Sequence, residues 1–285
     1  MSSIPVIVQY AMREAIRRKV FAVVVVLTVV FLVLFGLANH VVFRHLATIQ
    51  PPADVNVDTR TFAGAFLTGL SMFATMFLGV VLAVFLTLGA VRGDAERGLL
   101  QPLIVRPLGR RHYLLGRFLA AAAVSAAYVA VVYAGAVIVT GIVGGWWPAS
   151  PVGAGGRLVA AVIVVAALSL LGSVFLSSTA NGIAVLMVFG AGLLAGLLGS
   201  IGDALNSHTL KAIANTASWV LPFEALYRDA LRVLVSSVTG VTGAIVQLGP
   251  LGGSHDAGPL LAPWTLLYLV AVGAIASWAF SRRDV

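Results

Sequence analysis

From Leu158 to Gly202 the sequence runs 45 residues without one charged side chain. A soluble domain takes about a quarter of its residues from Asp, Glu, Lys and Arg, so a run this long would hold roughly ten. A bilayer core is roughly 30 Å thick, and a helix rising about 1.5 Å per residue crosses it in about 20 apolar residues. Forty-five residues therefore make two crossings. The polar, turn-like cluster Ser177 to Gly182 divides the run into spans at 158–176 and 183–202. The same criterion finds spans at 20–38, 62–91, 118–147 and 263–280. The chain is 60% hydrophobic and only 10% charged, with a mean hydropathy of +1.04. The expected fold is all-α: a polytopic membrane helical bundle of six transmembrane helices, with an N-terminal interfacial helix over residues 1–19 and a six-span domain over 20–285.

Lys and Arg placement sets the orientation. Twelve basic residues flank one side, at the N-terminus, in the loop 92–117 and at Arg282 and Arg283. Six lie on the other: Arg44, Arg60, Arg157, Lys211, Arg228 and Arg232. Both termini are thereby expected in the cytoplasm, the chain sitting in a cell's inner membrane. The pI near 10.6 reflects these flanking charges rather than a nucleic-acid surface. The first span has no A-x-A cleavage site and too long an apolar core for a signal peptide, so it is read as retained.

Outside the spans, Ser3 and Pro5 suit a helix start, and Ile4, Val8, Ala11 and Ala15 share a face opposite Arg13 and Arg17. Such a helix lies on the inner leaflet or extends the first span into water. Asn39–Thr61 and Pro148–Arg157 read as external loops. The segment 203–262 is external too. Within it Pro222 can start a helix to about Val235, with Glu224 and Arg228 paired at i,i+4 and an apolar stripe through Phe223, Leu226, Tyr227, Leu231 and Leu234. Leu231 to Leu248 could be argued as a seventh crossing, but Arg232, Gln247 and the Ser, Thr and Gly residues weaken it and it would put Arg282 and Arg283 outside, so a re-entrant or surface helix is the reading.

Chemistry is sparse. No cysteine is present, and no G-x-x-x-x-G-K-[ST], G-x-S-x-G or H-E-x-x-H occurs. His40 and His45 lack ligand spacing and read as interfacial rather than metal-binding. The six uncharged spans offer no intramembrane Asp, Glu, His or Arg for coupling to an ion gradient. Energy for uphill movement would have to enter from outside the membrane. The entry point is the loop 92–117, charged at both ends and apolar between, with Leu99, Leu100, Leu103 and Ile104 at helical spacing. It is either a partner-docking helix or an ordinary positive-inside loop.

This loop resembles that of membrane subunits of type-2 ABC exporters. Glu96, Arg97 and Gly98 match the family's opening, Leu99 and Leu100 its leucine-rich turn, and Pro107 and Arg110 its close. Gly116-Arg117, Leu221 to Leu226 and Phe280 to Val285 resemble further segments, so the likeness covers nearly the whole chain. One departure is Gln101-Pro102, where the coupling helix would break or begin, since Pro in a helix interior costs roughly 3 kcal/mol.

The resemblance implies a permease subunit forming the pathway, with this loop as coupling helix. The chain itself would hold no cofactor. ATP and Mg would sit on a separate P-loop ATPase present in two copies, and a second membrane subunit, identical or different, would complete the pathway among membrane lipid. Glu96 and Arg97 are expected to carry the coupling. Gly192, Gly196 and Ser200 form a small-residue stripe suited to a dimer contact or to internal packing. Rival classes are a membrane-embedded enzyme, for which Asp94, Glu96 and His112 are the nearest group, and a passive channel or scaffold.

Overall fold

The computed structural model describes residues 8, 9, 12, 13, 19–46, 58–88, 110–236, 238 and 257–282. Among them eight helices are delimited and no strand occurs. They are α1 (Lys19–Leu46), α2 (Thr59–Thr87), α3 (Arg110–Gly144), α4 (Pro151–Phe175), α5 (Ser178–Ala204), α6 (His208–Val220), α7 (Pro222–Leu234) and α8 (Leu261–Ser281). All but α6 and α7 are long and apolar enough to span a bilayer. Val-rich α1 would be an indifferent helix in water. In hydrocarbon the backbone has no other way to satisfy its polar groups, so β-branching stops mattering.

The helices overrun the uncharged segments at most ends, which corrects several expected boundaries. α1 continues past residue 38 to Leu46, taking in His40, Arg44 and His45, because nothing between Ala38 and Leu46 breaks a helix. α3 starts at Arg110, so Arg110 to Arg117 are its first turns and not loop. Pro151 starts α4 as a first-turn proline, which shortens the connection expected up to Arg157. The break in the 45-residue run is only Leu176 and Ser177, both extended, and α5 starts at Ser178. α2 begins at Thr59, where the Asp58 side chain accepts from the Arg60 and Thr61 amides. Charge is scarce in the apolar centres and concentrated in these added turns. The interfacial helix expected over 1–19 lies outside the described residues, apart from residues 8, 9, 12 and 13; Met12 packs on Val24, Leu82 and Val124.

α4 is the axis of the bundle. It packs on α2, α3, α5, α7 and α8, and 61% of its apolar window is buried, against 17% in α1 and 22% in α8. The core joins Met72, Met76 and Val80 of α2 to Val129 and Tyr133 of α3, Leu158 and Val162 of α4, and Phe223 and Tyr227 of α7. Helix association in lipid lacks a hydrophobic drive and relies on close backbone approach. Gly79 supplies it: a Cβ there would lie 2.5 Å from Val129 Cγ2 and 3.2 Å from Val162 Cγ2. Polar side chains tie spans together, with Thr87 Oγ1 donating to Ser169 Oγ at 2.7 Å and Asn181 Nδ2 donating to the Ser169 carbonyl at 2.9 Å.

α5 ends in a reversal. Asn206 has φ +49°, and the Ser207 amide donates to the Gly202 carbonyl at 2.9 Å, a Schellman closure with Asn in the left-handed position. α6 folds back along α5, with Gly199 and Gly202 under Ala214 and Leu210. At 13 residues each, α6 and α7 are about 20 Å long and cannot cross the bilayer core. They are two short helices joined at Leu221-Pro222.

Candidate functional site

Every residue of α7 from Pro222 to Ala230 is buried, including Glu224, Arg228 and Asp229. Buried charge needs partners, since an unpaired ion in low dielectric is very costly. Two sets provide them. Glu224 Oε2 accepts from Ser218 Oγ of α6 at 3.1 Å, and Arg228 Nε lies 3.6 Å from Glu224 Oε1, an ion pair too long to be a hydrogen bond. Asp229 accepts from Arg157 Nε of α4 and from Arg232 Nε at 2.9 Å. Arg157 also donates from Nη1 to the Gly153 carbonyl at 3.0 Å. Asp229 thus pins α7 to the central helix. This is the polar centre of the described fold, carried into the bundle by a helix that does not cross it.

Gly192 and Gly196 of the sequence stripe face this helix within the same chain. A Cβ on Gly192 would lie 2.5 Å from Phe223 Cζ, and one on Gly196 would collide with Glu224 Oε1. Ser200 is half-buried and its Oγ donates to the Gly196 carbonyl at 3.3 Å. Pro222 begins α7, and Glu224 and Arg228 pair along it.

Beside these short helices lies a cavity of about 480 Å³ between α5, α6, α7 and α8. Its wall includes Asp203, Lys211, Asn215, Ser218, Arg228 and the pair Trp219 and Trp264. The two indoles meet edge to face at 5.4 Å, and Trp264 Nε1 donates to the Trp219 carbonyl at 3.0 Å. Sequence reasoning missed Arg157, Asp229, Arg232 and Lys211. The i,i+3 spacing of Asp229 and Arg232 was the available signal, whereas Arg157 was hidden by its assignment to a loop.

At the opposite end, the helix ends flanking the loop between α2 and α3 are tightly held. The last turn of α2 bonds to α4 through Thr87, and Leu88 fills the space beside Gly182 of α5. The first turns of α3 pack on α8 and α4: Tyr113 lies 6.5 Å from the Phe280 ring, and Leu114 clusters with Leu170, Val174, Ala276 and Phe280. Arg117 Nε donates to Tyr113 Oη at 3.2 Å, and its guanidinium lies 5.7 Å from that ring. Glu96, Arg97, Gly98, Leu99, Leu100 and Pro107 lie outside the described residues, and Arg110 is the first residue of α3.

A search of curated proteins finds no match to the chain. The family described as ABC-2 family transporter protein matches residues 6–285. That match covers all eight helices, the short pair α6 and α7 included, and the loop between α2 and α3, so this chain belongs to the ABC-2 transporter family and is a multi-pass permease subunit of an ABC transporter.

Proposed function

We propose that the chain is the membrane half of an exporter driven by a separate P-loop ATPase. Two ATPase copies and a second membrane subunit, the same chain or a relative, complete it. ATP and Mg bind on the ATPase, both termini face the cytoplasm of the inner membrane, and this chain is not catalytic. The observation that carries the reading is the loop holding Glu96, Arg97 and Gly98, strung between two anchored helix ends. Motion imposed on such a loop passes to α2 and α3 instead of dissipating, because Thr87, Leu88, Tyr113 and Leu114 are locked to α4, α5 and α8. Glu96 and Arg97 engage the ATPase through charge-assisted contacts.

The test is a mild-detergent pull-down of the tagged chain from native membranes, followed by an ATPase assay of the eluate. A stoichiometric P-loop protein that is lost in the Glu96→Arg, Arg97→Glu double variant is the expected result. A complex unchanged by that reversal sinks the coupling assignment. A chain that remains alone even after cross-linking turns the reading toward a channel, scaffold or enzyme.

A further inference from the structure

Two carboxyl groups of α7 are buried alike and served differently. Asp229 is 6% exposed and takes guanidinium donors on both oxygens, Arg157 on Oδ2 and Arg232 on Oδ1. Glu224 is 3% exposed and has no such supply. Among the described residues its Oε1 has no hydrogen-bond partner. That oxygen lies 3.6 Å from Arg228 Nε and rests on Gly196 of α5, where a built Cβ would stand 2.3 Å away. Its Oε2 meets Ser218 Oγ of α6 at 3.1 Å, and the same hydroxyl lies 2.9 Å from the Ala214 carbonyl. A hydroxyl has one hydrogen to donate, and a carbonyl can only accept it. Ser218 therefore cannot serve an ionised Glu224 and Ala214 at once. A proton on Oε2 resolves the conflict: Glu224 donates to Ser218, and Ser218 donates to Ala214, in one unbroken chain. Burial pushes the Glu224 carboxyl the same way, above its ordinary value, against the downward pull of the Arg228 charge and the Ser218 hydroxyl. Charged groups on the neighbouring helices have partners of their own. Arg157 of α4 and Arg232 take Asp229, Lys211 of α6 takes Asp203 of α5, Arg60 of α2 takes the Gly144 carbonyl, and Arg282 at the end of α8 lies over Trp278. His208 begins α6, about 15 Å along the helix from Ser218. The phenols of Tyr227 and, on α8, Tyr268 are uncharged at neutral pH.

We propose that Glu224 is a reversible proton-binding switch: protonated, it closes the joint between α6 and α7 through Ser218, and ionised, it loosens that joint beside the cavity. Ionisation leaves a charged oxygen without a hydrogen-bond donor against Gly196, which is costly in low dielectric. A carboxyl whose folded pKa is raised stabilises the closed joint fully below its unfolded pKa, and that contribution is lost as pH rises through the folded value. Ser218 and Arg228 both line the cavity, which brings water and protons to the pair. Proton binding here needs no ATPase and stands apart from the coupling reading.

The experiment is an infrared titration of the purified full chain in detergent between about pH 4 and pH 9, which spans the range of exposed and buried glutamates. A carboxylic-acid C=O band that persists above the range of exposed carboxyls is expected. It should be absent in Glu224→Gln and shifted in frequency in Ser218→Ala, which removes the hydroxyl that the acid proton meets. Hydrogen exchange of the α6 peptide reads the joint separately. The unaltered chain is compared with Glu224→Gln at each pH, so that the intrinsic pH dependence of exchange cancels. The two should exchange alike while the band is present. Once the band has titrated away, the unaltered chain should exchange faster, about tenfold for each unit by which the pKa is raised. Absence of such a band overturns the proton assignment, as does a band that both variants leave unchanged. Equal exchange at every pH overturns the switch. Where Glu224→Gln does not fold, Ser218→Ala decides the assignment, since a band it leaves at the same frequency belongs to another carboxyl. Exchange of α6 relative to α8 within the unaltered chain then decides the switch, and a ratio that does not rise as the band is lost overturns it. No ATPase enters either readout, so their failure leaves the coupling reading untouched.

Discussion

Glycine in this bundle does different work at different positions, and substitution by alanine separates them. Gly79 has α3 and α4 against it, so Gly79→Ala forces Val129 and Val162 aside; a cost of about 1–3 kcal/mol is expected from overpacking. Gly196→Ala drives a methyl group into the Glu224 carboxylate and should cost at least as much. Gly156 lies exposed on α4 with nothing within 4 Å of a built Cβ. Gly156→Ala should leave stability unchanged or raise it by roughly 0.5–1 kcal/mol, because alanine loses less backbone entropy on entering a helix. Thermal unfolding of the three variants in one detergent checks the order; equal midpoints for Gly79→Ala and Gly156→Ala would refute the packing account. Asp58 makes a pH-dependent contribution. The Thr61 hydroxyl donates to it at 2.5 Å, and with the Thr61 and Arg60 amides this holds its pKa below the usual carboxylate value. A depressed carboxylate stabilises the fold above its unfolded pKa and loses that contribution as pH falls through the folded value. Acidification below about pH 4 should therefore lower the melting temperature. Thr61→Val, which removes the largest cause of the shift, should flatten that slope, and an unchanged slope would count against the assignment.

At the scale of elements, the ion-paired seam between α4 and α7 is the feature most open to test. Asp229 receives Arg157 from one helix and Arg232 from its own, and is itself 6% exposed. Asp229→Ala leaves two guanidiniums crowded without their counter-ion. Both are more than a third exposed, so water recovers part of the loss and about 1–3 kcal/mol is expected in place of the fully buried figure. The chain has no cysteine, which makes the seam directly readable. Ala230→Cys, at a position with no exposure, should be inert to a thiol reagent alone and reactive when combined with Asp229→Ala. Equal protection in both backgrounds would show that apolar packing alone holds α7. The same seam marks where sequence reading stops. The six crossings were legible because hydrocarbon imposes length and composition directly. α7 was legible through Pro222, its i,i+4 pair and its apolar stripe. α6 was not, since His208, Lys211, Asn215, Thr216 and Ser218 dilute its apolar residues and its helix depends on the glycines of α5 beneath it. The depth of α7 was hidden too. Charge counts over spans assume that buried charge arrives on a crossing helix, whereas Glu224 and Asp229 arrive on one too short to cross. The glycine stripe was visible, but its occupant depends on a contact about thirty residues away in sequence, and no local pattern encodes that.

At the scale of the whole molecule, alternating helix directions put two sets of connections on opposite faces. The C-terminal ends of α1, α3 and α5 share one face, and those of α2, α4 and α8 share the other. Arg60 joins the first set internally, its Nε donating to the Gly144 carbonyl at 2.6 Å where α3 ends and Gly145 turns with φ +65°. The cation closes a helix terminus whose last carbonyls carry partial negative charge. Basic residues on the first face are therefore partly engaged in structure: Arg60 in this cap and Arg157 with Asp229. The orientation drawn from the Lys and Arg counts puts the second face in the cytoplasm and is open to direct test. Ala149 and Ser177 test it, since both are exposed, one in the α3–α4 connection and the other between α4 and α5. In intact cells a membrane-impermeant maleimide should label Ala149→Cys and spare Ser177→Cys until the membrane is permeabilised. The reverse pattern would place the loop between α2 and α3 outside the cell, beyond the reach of any cytoplasmic ATPase, and would remove the coupling reading together with the orientation.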